Sequence, residues 1–253
     1  MTLSGRTVVI TGAASGIGLA TAASMLEDGW HVISIDLQRC PLPEVVSHIG
    51  DVADTDWLGE VAASLESQIA ALVTAAGIWD ADRDGNAETL SLESWHRTLA
   101  VNLTGTMLAV RHFQPLLSDG GAIVTLASIA ALAAMPRRDA YTASKGGIVA
   151  LTRSWAVDYS RRAVRVNCVC PGVTETPLVT SRQSDLSRRH EMALPQQRMA
   201  TPSEVGQVVK FLASPESSFM SGAIVPVDGG TTALAAGLPF PRCHQSGPVP
   251  AGE

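Results

Sequence analysis

The chain has 253 residues, 46% of them hydrophobic and 17% charged, a soluble globular composition with length for one sizeable domain or two small ones. Its formal net charge of −6, with no Lys/Arg-rich run, leaves no electrostatic footprint for nucleic acid. The longest apolar stretch, residues 121–135, is broken by Thr125 and Ser128 and falls short of the roughly 18 residues of a membrane span.

The N-terminus MTLSGRTVVI has no basic segment followed by an apolar signal core. The four cysteines (Cys40, Cys168, Cys170, Cys243) are too sparse for a disulfide framework. Reduced, buried thiols in a cytoplasmic protein are therefore expected. Cys168-x-Cys170 has the wrong spacing for zinc, and no His/Asp/Glu set has metal-ligand spacing, so no metal is expected.

In chain order, RTVVIT (6–11) predicts a buried strand and GLATAASMLEDG (18–29) a helix closed by Gly29. HVISID (31–36) predicts a second strand, followed by a short stretch, 37–50, with too little room for a full helix. Further strands are predicted at 70–77, 121–128, 163–172 and 223–230, with helices around 55–67, 91–117, 140–160 and 202–213. This alternation of buried-type strands and helices predicts an α/β fold, a Rossmann-type doubly wound parallel sheet with helices on both faces. No composition shift marks an internal boundary, so residues 1–237 read as one domain. The Pro/Gly-rich 238–253 reads as a tail draped on the surface or disordered.

Between the first strand and first helix lies TGAASGIG (11–18). Gly12, Gly16 and Gly18 allow a tight turn, close approach to a pyrophosphate and close helix packing, while the helix N-terminus offers free N–H groups. The loop is expected to bind a dinucleotide. Asp36 ends the second strand, where a carboxylate can accept from both adenosine ribose hydroxyls and repel a 2′-phosphate. Ser15 and Leu37 put no base there, and Arg39 is the nearest, so NAD is expected over NADP.

The run TGAASGIG (11–18), Asp51-Val52, Ala75-Ala76-Gly77, Val101-Asn102, Ser128, YTASK (141–145) and Pro171-Gly172 resembles the short-chain dehydrogenase/reductase family, single-domain branch, over about residues 5–234. The resemblance implies seven parallel strands, a nicotinamide cofactor, and a homotetramer or homodimer. It implies cofactor contacts from Gly12, Ser15, Gly16, Ile17, Gly18, Asp51 and Val52 (framing the adenine), Ala75, Ala76 and Gly77. From the loop after the sixth strand it implies Pro171, Gly172, Val173 and Thr174, the last two reaching the nicotinamide carboxamide and diphosphate. Thr74 departs from the pattern, which often has Asn there; a Thr hydroxyl is expected to take over part of that Asn's role in holding the sheet.

Tyr141 and Lys145 lie one helical turn apart on one face. A phenol ionises near pH 10 and is a poor base unless its phenolate is stabilised, which a lysine ammonium one turn on can do. The resemblance also gives Lys145 the nicotinamide ribose. Ser128 is placed to hydrogen-bond the substrate oxygen, and Asn102 to hold a water linking Lys145 to solvent. Trp79 can wall the pocket or cover the sheet edge. Arg182, Arg188, Arg189 and His190 lie where a substrate lid is expected and can hold a carboxylate or form a solvated face, whereas His96 and His112 read as ordinary helix residues.

The expected function is NAD-dependent hydride transfer on a secondary alcohol or cyclic dihydrodiol, giving a ketone, with Tyr141 as acid/base. An NADPH-type 3-oxoacyl-thioester reductase, a catalytically silent dinucleotide-binding regulator and a nucleotide-sugar epimerase are the alternatives.

Overall fold

The computed structural model describes residues 5–180 and 194–234. Its centre is a seven-stranded sheet in the order β3-β2-β1-β4-β5-β6-β7, with every pairing parallel. The strands are β1 (Thr7–Thr11), β2 (His31–Asp36), β3 (Val46–Ile49), β4 (Ile69–Thr74), β5 (Leu117–Leu126), β6 (Arg165–Pro171) and β7 (Ile224–Val227).

Successive side chains of a strand face opposite layers, and both layers are buried here. Val8 and Ile10 join Met25 of α1 (Gly16–Glu27) and Val205, Val209 and Leu212 of α7 (Pro202–Ala213), the short α6 being Pro177–Thr180. Val9 faces the other way, toward Leu58 of α2 (Thr55–Ala63), Phe113 of α4 (Gly105–Phe113) and Trp155 of α5 (Asp139–Asp158). That double burial is why the central strands read as unbroken apolar runs, each fully buried side chain contributing about 1.5–3 kcal/mol.

Two elements differ from the sequence-based expectation. The short stretch after β2 contains no helix but ends in β3, whose Val46–Ile49 register with Ile33–Asp36. As an edge strand, with Val46 and Ile49 exposed, β3 lacks the apolar run that reveals the others. The single helix expected at 91–117 is divided into α3 (Leu92–Leu99), a wide π-type turn (Ala100–Thr104), α4 and a final tight turn (Gln114–Leu116).

The chain order reverses between β1 and β4, so the carboxyl ends of these neighbours open a crevice suited to a ligand. Thr74, at the end of β4, is 1% exposed, and its hydroxyl has no hydrogen-bond partner among the described residues. The bracing role expected of that hydroxyl is therefore not met among the described residues. Cys40, Cys168 and Cys170 are free and buried. The segment 238–253 and Cys243 lie outside the described residues, and among those described no helix is long and apolar enough to cross a membrane.

Candidate active site

β1 ends in the glycine loop. Gly12 adopts φ +74° and would bring a Cβ within 2.6 Å of the Ala76 nitrogen, so only glycine lets this loop press against Ala75–Gly77. A Cβ on Gly18 would overlap the Gly12 carbonyl. Ser15 stands at the N-cap of α1, yet its side chain makes no capping bond. The first amides of α1 thus keep their capacity for an anion.

Asp36 anchors the rim. Its Oδ2 accepts from the Ala14 N–H at 3.0 Å and its Oδ1 from the Gln38 N–H at 3.1 Å. Both oxygens retain lone pairs for further donors. A cleft of about 420 Å³ gathers Asp36, the residues Gly12 and Ser15–Gly18, Asp51, Val52 and Ala75–Gly77. Leu37 also lines it, and Arg39 does not. The cleft shares Ile17, Ala75 and Gly77 with a second chamber of about 120 Å³ formed by Ser128, Tyr141, Lys145, Pro171, Gly172 and Thr174.

One expected residue points elsewhere. Val173 lines a separate cleft with Gln196, Arg198 and Glu204, and its carbonyl accepts from the Ala200 N–H at 3.0 Å. Thr174, the next residue, takes the inward position and is 3% exposed. Neighbouring residues of this loop face opposite sides, so only the Val173 backbone N–H is left for a cofactor.

In the chamber, Lys145 is 5% exposed and its Nζ donates to the Leu126 carbonyl at 2.9 Å. Burial lowers its pKa from 10.5 to about 8, against the opposing effect of the Cys168 and Cys170 thiols. The ammonium lies 5.7 Å from the centre of the Tyr141 ring. Burial raises the Tyr141 pKa, while hydrogen bonding from Ser128 and the Arg138 guanidinium act in the opposite direction. Arg138 is thus a second cation near the phenol besides the Lys145 that the sequence pointed to, and the lysine Nζ is turned toward the Leu126 carbonyl. Ser128 Oγ itself accepts from the Ala130 N–H at 3.2 Å, which fixes its direction.

Asn102 sits in the π-type turn, fully buried. Its Nδ2 donates to the Ile78 carbonyl (3.0 Å) and Ser144 Oγ (3.1 Å), and its Oδ1 accepts from the Ile78 N–H (2.8 Å). Both amide donors are therefore spent on bracing the loop after β4 against α5. A water linking Lys145 to solvent is left one Oδ1 lone pair. Gly77 fits between the two groups: a Cβ there would lie 3.4 Å from both Asn102 Oδ1 and Lys145 Nζ.

Sequence reasoning missed Asp84 and Arg138. Asp84 Oδ1 accepts from the Ala140 N–H (3.1 Å) and the Gly85 N–H (2.9 Å), and Oδ2 accepts from the Tyr141 N–H (3.2 Å). It caps α5 from a distant loop, because the N-cap residue Arg138 supplies no side-chain cap. A negative signal was available: no Ser, Thr, Asp or Asn stands at position 138. Arg138 lies 4.1 Å over the Trp79 ring, whose centre is 6.3 Å from that of Tyr141. Trp79 therefore packs beside Tyr141, outside the residues that line the chamber. His112 ties α4 to Thr55 at 3.0 Å, a structural contact. Arg182, Arg188, Arg189 and His190 lie outside the described residues.

A parallel sheet with a glycine loop at its switch point, continuous with a Ser/Tyr/Lys chamber, defines the class as nicotinamide-dependent oxidoreductases. The family model described as enoyl-(acyl carrier protein) reductase matches residues 12–232. The chain is 38% identical over 248 residues to a 2-(R)-hydroxypropyl-CoM dehydrogenase of Xanthobacter autotrophicus, covering 90% of this chain and 99% of that one. It is 36% identical over 246 residues to the cis-4-hydroxycyclohexanecarboxylate dehydrogenase of Sinomonas cyclohexanicum (90% and 97% covered). The ligand-free structure of aldohexose dehydrogenase from Thermoplasma acidophilum matches with a TM-score of 0.87 at 31% identity, covering 92% of this chain and 96% of that one. The chain belongs to the short-chain dehydrogenase/reductase family.

Proposed function

We propose that this protein is an NAD-dependent dehydrogenase that interconverts a secondary alcohol and its ketone, with Tyr141 as the acid/base. The observation that carries this reading is the continuity of one cleft, from the Asp36 carboxylate past the glycine loop to Ser128 and Tyr141. The residues fit a dinucleotide: the Gly12–Gly18 loop for the pyrophosphate, Asp36 for the adenosine ribose, and Lys145 for the nicotinamide ribose. The Asp36 carboxylate favours ribose hydroxyls and disfavours a 2′-phosphate, hence NAD.

When bound, the oxidised nicotinamide supplies the acceptor for a hydride. The alcohol carbon gives up its hydrogen with the bonding electron pair, and the alcohol O–H proton passes to the Tyr141 phenolate. The oxygen's freed pair closes the C=O bond, so one hydride and one proton leave. Ser128 Oγ, held by the Ala130 N–H, orients the reacting oxygen. Lys145 and Asn102 provide the proton's route outward. Relatives acting on hydroxypropyl and hydroxycyclohexane compounds support a CH–OH substrate.

The test is NADH formation across a panel of secondary alcohols and cyclic dihydrodiols, with NADP in parallel and Tyr141→Phe as control. A hit that prefers NAD and falls by at least about 10³-fold in the variant is the expected outcome. Preference for NADP would overturn the role given to Asp36. Oxidation of NADPH with reduction of an acetoacetyl thioester to the 3-hydroxy thioester, with no alcohol turned over, would favour a 3-oxoacyl-thioester reductase.

A further inference from the structure

Arg138 is an expensive residue where it stands. It occupies the N-cap of the helix that carries Tyr141 and Lys145, where the positive end of the helix dipole disfavours a cation and no side-chain cap is made. The residue before it, Arg137, is held at φ +60°, a left-handed conformation costly for a non-glycine residue. The guanidinium is half-buried, and desolvation lowers its pKa. Among the described residues it forms no ion pair: Asp84, whose charge it feels, has both oxygens committed to the Gly85, Ala140 and Tyr141 amides. It lies over the face of Trp79 at 4.1 Å, which holds the planar group in place, and among the described residues its edge donors have no hydrogen-bond acceptor.

A fixed guanidinium with free donors beside a catalytic phenol is a receptor for an oxyanion, which Arg binds bidentately. We infer that the chamber takes an alcohol or ketone bearing a carboxylate or sulfonate, with Arg138, stacked on Trp79, holding that group while Tyr141 acts on the oxygen at the substrate's other end. This rests on the dehydrogenase reading above and specifies its substrate class. The destabilising placement of Arg138 is explained by this role: cap, dipole and backbone conformation all give way to a cation stacked on Trp79 near Tyr141.

The experiment compares two alcohols that differ only in the anion, cis-4-hydroxycyclohexanecarboxylate and cyclohexanol, in wild type, Arg138→Met and Arg138→Lys with saturating NAD. Wild type is expected to favour the carboxylate. In Arg138→Met the ratio of kcat/KM for carboxylate over cyclohexanol falls about 10- to 100-fold, mainly through KM, and Arg138→Lys recovers part of it. No preference in wild type, or an equal loss on both alcohols, overturns the inference while leaving the dehydrogenase reading intact. If neither alcohol is oxidised, calorimetry with cyclohexanecarboxylate and cyclohexanecarboxamide on the NADH-loaded protein decides. Selective binding of the acid that Arg138→Met abolishes supports the anion site, and indifference to the charge sinks it. Failure of the dehydrogenase reading is separate, showing as silence over the whole alcohol panel.

Discussion

Lys145 shows what the reaction chamber costs the fold. An ammonium held 5% exposed, donating to the Leu126 carbonyl, has its pKa depressed from 10.5 to about 8. Below pH 8 the lysine is charged in both the folded and unfolded chain, and folding bears the full desolvation cost. Between pH 8 and 10.5 the folded protein has released the proton while the unfolded chain keeps it, so stability rises with pH through that window. The shift corresponds to about 3 kcal/mol at most. Lys145→Met is therefore expected to abolish turnover yet stabilise the cofactor-free protein by about 1–3 kcal/mol at pH 7. In urea titrations this gain should shrink toward pH 10.5; a variant less stable than wild type at pH 7 would contradict it. Beside it, Cys168 and Cys170 lie 4.0 Å apart at sulfur, within reach of a thiol–thiol hydrogen bond.

At the level of elements, the start of α5 governs the site. Its first amides are satisfied by Asp84 and by the Gly85 carbonyl, which accepts from the Asp139 N–H at 3.0 Å, so the loop after β4 and the catalytic helix are one unit. Asp84 is a positioning residue: it touches the Tyr141 backbone and stays away from the cleft that lines the glycine loop. Asp84→Ala is expected to cost about 1–2 kcal/mol of stability as a lost cap. It should also lower kcat about 10- to 100-fold with cofactor Kd unchanged, because the phenol is displaced by a fraction of an ångström. Asp84→Asn, which keeps an acceptor, should restore part of kcat; equal loss of kcat and cofactor affinity would mean a merely structural role. The π-type turn at Ala100–Thr104 works similarly, adding a residue to a helical path so that Asn102 swings beneath the loop.

Over the whole molecule, chemistry and stability occupy opposite ends of the sheet. The carboxyl ends of β1, β4, β5 and β6 carry the loops of the site. At the amino end of β6, Arg165 is 8% exposed and donates to the Leu212 carbonyl (2.9 Å), the Ser214 carbonyl (2.9 Å) and Ser217 Oγ (2.6 Å). This buried guanidinium closes the C-terminal end of α7, where a cation suits the helix dipole, the reverse of Arg138. Arg165→Met is expected to lose about 2–4 kcal/mol in urea denaturation, since several buried acceptors lose their donor. Its kcat and KM should stay within about twofold of wild type, a change limited to stability. A shift in cofactor affinity would mean that β6 transmits strain from end to end.

The sequence alone carried the parallel α/β architecture, because strands buried on both faces must be continuously apolar and their connecting helices periodic. It also pointed to the glycine loop, Asp36, Ser128, Tyr141 and Lys145, which the fold gathers along one cleft and its adjoining chamber, because the types and spacing that phosphate binding and proton transfer would require fall within short stretches. Tertiary structure alone decided the rest. The edge strand β3 has no burial pattern to read. The Thr74 hydroxyl has no partner among the described residues, and the Val173 carbonyl is taken by the Ala200 N–H on the far side of its loop. Asp84 and Arg138 acquire their roles across a separation of more than fifty residues, where a cap or a cation over a Trp face leaves no local trace. Contacts between distant segments are set by packing, and packing is a property of the folded chain.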